Sequence, residues 1–248
     1  ELFKNASITG VISLLDVRCR ENAISQAKKL GIDQKDAFLF INICPETLLD
    51  PAHRGGITDE LVEDMGLSKE RIIIEITEES AVKDYNLFGR AIERYRSRGY
   101  MIAIDDFGSG YGGLKMLSMI EPDFVKIDRY FISNIDQAAV NCSLVDSITA
   151  TCHRMGIKVI AEGIEREEEL NTVLNMGIEF LQGYYLRKPS PLLDDGRAAI
   201  TGLRKKTDIS STNGEQCFIG GIAGRFKERC HRICGNGSAL CFRNNKKQ

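Results

Sequence analysis

The chain has 248 residues, 43% of them apolar, with 33 Lys+Arg against 35 Asp+Glu and a formal net charge of −2. That composition suits one large soluble core or two small ones, and it excludes collagen, coiled coil and wholesale disorder. No apolar run approaches the ~20 residues of a membrane span and no secretory leader opens the sequence, so a reducing, cytoplasmic setting is expected.

Residues 1–36 read as a loop and a helix over roughly 11–30, with Leu14, Leu15, Val17, Ile24 and Ala27 on its apolar side. Six short segments then carry the Ile/Val/Phe density of buried strands: 37–43, 72–77, 101–107, 124–128, 158–163 and 180–185. Amphipathic helical patterns lie between them at 79–98, 137–155 and 165–176, and Gly99, Gly156 and Gly177 follow them as C-cap glycines. Strand–helix alternation implies a parallel sheet with right-handed crossovers.

An open sheet and a closed barrel both satisfy that alternation. Polar residues fall at the C-terminal end of strand after strand: Asn42, Glu75, Asp105, Asp106, Lys126, Glu162 and Gln182. An open sheet gathers ligands at one switch point, whereas a barrel brings every strand end to one mouth. The expected fold is therefore α/β, a modified TIM (β/α)8 barrel. Six strands are counted where eight are needed, so the first strand is expected to be missing and a sheet edge to be exposed.

The texture changes after residue 195. Residues 196–216 read as a polar linker, and 217–248 as a Cys-rich tail with little periodicity. Residues 201–248 hold ten Lys/Arg and three Asp/Glu, which leaves −9 on the first 200 residues. An acidic body argues against a nucleic acid polymer as partner. Cys19, Cys44, Cys142 and Cys152 sit in apolar or helical context, and Cys230-x3-Cys234 lacks the tight paired spacing of a zinc site.

Five acids gather at the presumed mouth once Glu165 is included, together with two amides and Lys126. Carboxylates brought together raise one another's pKa unless a cation intervenes, and all-oxygen ligation suits Mg2+ or Mn2+. Two such ions form the clamp for in-line displacement at phosphorus, which points to a metal-dependent phosphodiesterase. The run GSGYGG at 108–113 fits a dinucleotide-binding pattern, but Asp105 and Asp106 directly before it would repel a pyrophosphate.

INICPETL (41–48), IIIEITEES (72–80), AIDDFGSGYGGL (103–114), PDFVKIDR (122–129), VIAEGIE (159–165) and LQGYYLRKP (181–189) together resemble the EAL-domain family. Those proteins are bacterial phosphodiesterases that open the second messenger cyclic di-GMP to linear pGpG. The resemblance runs over about residues 2–195, so 1–195 is expected to be an EAL-type phosphodiesterase domain, incomplete at its N-terminus. It implies that Asn42, Glu75, Asp105 and Asp106 ligate two Mg2+ or Mn2+ ions. It implies that Lys126 holds the attacking water or scissile phosphate, that Glu162 orients water as a candidate general base, and that Glu165 and Gln182 complete the substrate shell. Glu78 would steady the loop after DDFG, and that loop, 106–113, would carry a homodimer contact.

The Glu-Ala-Leu string that names the family does not occur. Residues 1–24 resemble the segment just after it, so one metal-ligating carboxylate is expected to be absent and activity reduced. A catalytically inactive receptor for cyclic di-GMP, or a protein-interaction module, is the rival expectation. Residues 217–225 resemble the entry into a regulatory CBS domain, and the tail is expected to be the truncated start of one.

Overall fold

The computed structural model describes residues 2–34, 37–49, 56–77, 85–110, 112–188, 217–221 and 239–242. In chain order these form α1 (Leu2–Ile8), α2 (Ile12–Lys29), β1 (Ala37–Asn42), α3 (Pro45–Leu49), α4 (Ile57–Asp64), β2 (Ile72–Thr77), α5 (Tyr85–Arg96) and β3 (Met101–Phe107). They continue with α6 (Gly113–Ile120), β4 (Phe124–Ile127), α7 (Arg129–Ile132), α8 (Ala139–Arg154), β5 (Lys158–Ala161), α9 (Glu167–Asn175), β6 (Phe180–Leu181), β7 (Cys217–Gly221) and β8 (Ala239–Phe242). Among the described residues no helix is long and apolar enough to cross a membrane.

All six expected strands are present and pair in parallel, in sequence order, from β1 to β6. The three glycines stop their helices at positive φ (94°, 76° and 80°), a backbone state that a side chain would disfavour. One sheet face packs Leu39, Ile41, Ile72, Ile74, Ile102, Ile104, Val125 and Val159 against the helices. The other face turns inward, where Phe40, Ile73, Ala103, Phe124, Ile160 and Phe180 fill the barrel. Phe124 anchors this plug, with Phe40 and Phe180 edge-on at 5.7 and 5.4 Å between ring centroids.

Helix α1 forms where a loop was expected, and two larger features also depart from expectation. Backbone from the tail completes the ring: β7 pairs in parallel with β6, and β8 pairs antiparallel with both β7 and β1, giving a closed barrel. The edge expected to lie open on β1 is thus paired along Ala37–Leu39. Unpaired edge N–H and C=O groups favour any strand within reach, and here that strand comes from the segment read as a separate tail.

The second departure concerns α2. Its buried face is Asp16, Arg20, Ile24 and Ala27, whereas Leu14 is exposed. A charged pair heads the inner stripe because it has partners there. Arg20 bonds Asp16 (3.0 Å) and Thr58 (2.5 Å), and Asp16 accepts the N–H of Cys44 (3.1 Å). Burial raises the Asp16 pKa, against the pull of Arg20.

Candidate active site

Side chains alternate across a strand, so the residue two places after an inward apolar one also faces inward. Each of the six parallel strands uses that rule in the same way. Phe40 is followed by Asn42, Ile73 by Glu75, Ala103 by Asp105, Phe124 by Lys126, Ile160 by Glu162, and Phe180 by Gln182. The apolar member joins the plug, and the polar member stands one layer up, at the C-terminal mouth.

Lys126 is at the centre of that layer and is fully buried. Its Nζ lies 2.7 Å from Glu75 Oε1, 2.7 Å from Asp105 Oδ1 and 2.6 Å from Glu162 Oε1. Burial opposes its charge, but Asp105, Glu162 and Glu75 overcome this and hold its pKa well above the usual lysine value. The ammonium donates a hydrogen bond to Asp105, and Asn42 Nδ2 donates to Glu75 Oε2 at 2.9 Å.

One ammonium is too little for this pocket. Burial pushes the Glu75 carboxyl up to about 7 and the Glu162 carboxyl up to about 8, with Asp105 adding repulsion to each against the pull of Lys126. Glu75 Oε1 and Glu162 Oε1 touch the ammonium off hydrogen-bond geometry, and Gln182 Oε1 is likewise buried without a donor. Surplus negative charge and unserved oxygens are what a hard divalent cation satisfies.

The two adjacent aspartates would ordinarily face opposite sides of the sheet. Between Ile104 and Phe107 the pairing with β4 slips by one residue, and Asp106 takes φ 53°. Such a bulge re-aims a side chain at a strand end. As a result Asp105, Asp106 and Glu162 can each bring one carboxylate oxygen within 4.8 Å of the others.

The loop after β5 is fastened from several sides. Glu162 N–H donates to Ile127 C=O, and Ile164 N–H donates to Gln182 C=O. A Cβ on Gly183 would meet the Ile164 carbonyl oxygen at 2.0 Å, so only glycine lets the two backbones approach this closely. Glu165 is not drawn into the Lys126 cluster; it stands at the rim, paired with Arg129 at 2.8 Å, both partly exposed. Gly163, at φ 74°, leaves room for the Arg129 stem. Glu78 lies outside the described residues.

Asn42, Glu75, Asp105, Asp106, Lys126 and Glu162 are thus brought together, with Gln182 in the same inward layer. Reading the sequence alone missed Arg129, for which the arginine directly after KID was a weak signal. It also missed Asp16, which braces the β1–α3 turn behind Asn42 and has no local signature.

A family model described as the EAL domain matches residues 1–189. The chain is 31% identical over 179 residues to the probable cyclic di-GMP phosphodiesterase PdeA of Escherichia coli (strain K12), covering 72% of this chain and 24% of that protein. It is 30% identical over 174 residues to the blue light- and temperature-regulated antirepressor BluF of the same organism, covering 70% and 43%. The chain therefore spans less than half the length of either relative. A manganese/cy-diGMP complex of Klebsiella pneumoniae BlrP1 superposes with a TM-score of 0.66 at 31% identity, over 71% of this chain and 44% of that one. With the fold, the ring of strand-end polar residues and a match over most of its length in agreement, the chain belongs to the EAL domain family.

Proposed function

We propose that this chain is a phosphodiesterase domain that hydrolyses cyclic di-GMP to linear pGpG with Mg2+ or Mn2+. The observation that carries this reading is the buried Lys126 ammonium ringed by Glu75, Asp105 and Glu162, with oxygens left over for a cation. Asn42, Glu75, Asp105 and Asp106 would hold the metal, in a two-ion arrangement. Bound there, divalent cations stabilise charge on the phosphate oxygens and lower the pKa of water. Lys126, kept charged by its neighbours, is set to polarise the scissile phosphate or fix the attacking water. Glu162, held 2.6 Å from the Lys126 ammonium, would orient that water as a candidate general base. Gln182 and the Glu165–Arg129 pair would orient substrate at the rim. The loop 106–113 is the proposed homodimer contact.

A second reading, a silent receptor for cyclic di-GMP, is favoured by one fact: a relative 30% identical to this chain bears the name of an antirepressor and not of a phosphodiesterase. Chromatography of cyclic di-GMP incubated with the chain and Mn2+ decides between them. Linear pGpG that vanishes in Asp105→Ala establishes the hydrolase. Intact cyclic di-GMP that nevertheless binds the chain leaves the receptor.

A further inference from the structure

Glu169, in the first turn of α9, is only 2% exposed, yet it makes no contact with the Lys126 cluster. Its Oε2 accepts the backbone N–H groups of Glu165 (2.9 Å) and Arg166 (3.1 Å). Its Oε1 accepts Arg166 Nε (3.2 Å) and the backbone N–H of Asn134 (2.8 Å). A capping-box glutamate serves the start of its own helix, and the Arg166 bonds do that. Asn134 is different. It lies 35 residues away, in the segment after α7, at a left-handed φ of 55°.

The two segments joined by this one carboxylate leave adjacent strands. One follows β4 and bears Arg129 just beyond Lys126; the other follows β5 and bears Glu162 and Glu165. Arg166 adds a second tie across the same gap through its ion pair with Asp136.

We propose that Glu169 is a positioning residue: it locks the 162–166 loop to the 128–136 segment, and so sets Glu162 against Lys126 and Glu165 against Arg129. The kinetic consequence rests on the hydrolase reading; the mechanical link does not.

The test compares the full-length chain with Glu169→Ala, Glu169→Gln and the exposed control Glu168→Ala. Hydrogen exchange is read by mass spectrometry, with Mn2+-dependent turnover of cyclic di-GMP measured in parallel. Glu169→Ala should raise exchange at least about tenfold in peptides covering 128–136 and 162–169 together, leaving β2 and β3 unchanged. Glu169→Gln should fall between, because its single carbonyl oxygen accepts at most about two of the four donors. Where hydrolysis is measurable, kcat should drop about 10–100-fold with KM little altered, the loss typical of residues that orient a metal site. Glu168→Ala should match the parent chain.

Exchange that rises only in 162–169 would reduce Glu169 to a helix cap and overturn the proposal. A uniform rise through β2 and β3 would do the same by showing a global stability role. If Glu169→Ala does not fold, Glu169→Gln decides: faster exchange at 128–136 supports the link, and parental exchange with parental kcat refutes it. A parent chain without turnover would defeat the hydrolase reading alone, since the exchange result stands independently.

Discussion

Lys126 is where side-chain chemistry weighs most heavily. Removing one partner of a buried, charge-paired group leaves the others uncompensated, which costs about 3–5 kcal/mol. Lys126→Met should therefore lose about that much stability near pH 8, as read by denaturant unfolding. Mn2+ should recover part of the loss by supplying the missing positive charge. Glu169 yields the clearest pH dependence. Burial alone would raise its pKa, but the N–H groups of Asn134, Glu165 and Arg166 overcome this and hold it below the usual 4.5. A depressed folded-state pKa adds stability above the unfolded value, and that stability is lost as pH falls through the folded one. Glu169→Gln should accordingly flatten the acid limb of the stability profile between about pH 5 and 3.

Among the elements, the six parallel strands and the four helices read from the sequence all form, with α5 described only from Tyr85. The short helices α1, α3, α4, α6 and α7 carried too few turns to show a repeat. The bulge in β3 was not read from the sequence, although two adjacent aspartates cannot both face inward on a regular strand. The main surprise is that β7 and β8 seal the sheet. Deleting residues 217–248 should uncover the edges of β1 and β6. Light scattering is then expected to show oligomers or aggregates where the full chain scatters as a discrete species, because an unpaired edge recruits other strands.

For the molecule as a whole, the proposed substrate is a phosphodiester that would enter an acidic body, and bound cations would reconcile the two charges. A ligand that binds the folded state alone stabilises it by mass action, about 2.7 kcal/mol at a hundred times its Kd. Saturating Mn2+ should therefore raise the melting temperature by about 5–10 °C for a domain of this size. Asp105→Ala should melt at the same temperature with and without the ion. A parent chain that does not respond to Mn2+ would remove the metal from the proposal even if cyclic di-GMP bound.

What the sequence determined by itself was what repeats over short distances. Alternation within each strand set Asn42, Glu75, Asp105, Lys126, Glu162 and Gln182 on one face, because side-chain direction follows directly from the pleat. Glycine stops and apolar periodicity set the helix boundaries for the same local reason. What only the tertiary structure decided were pairings between residues far apart in the chain: Arg20 with Thr58, Glu169 with Asn134, β8 with β1, and the register slip that turns Asp106 toward Glu162. Such contacts depend on which strands become neighbours once the barrel closes, and no local pattern encodes which donor a buried carboxylate will find there.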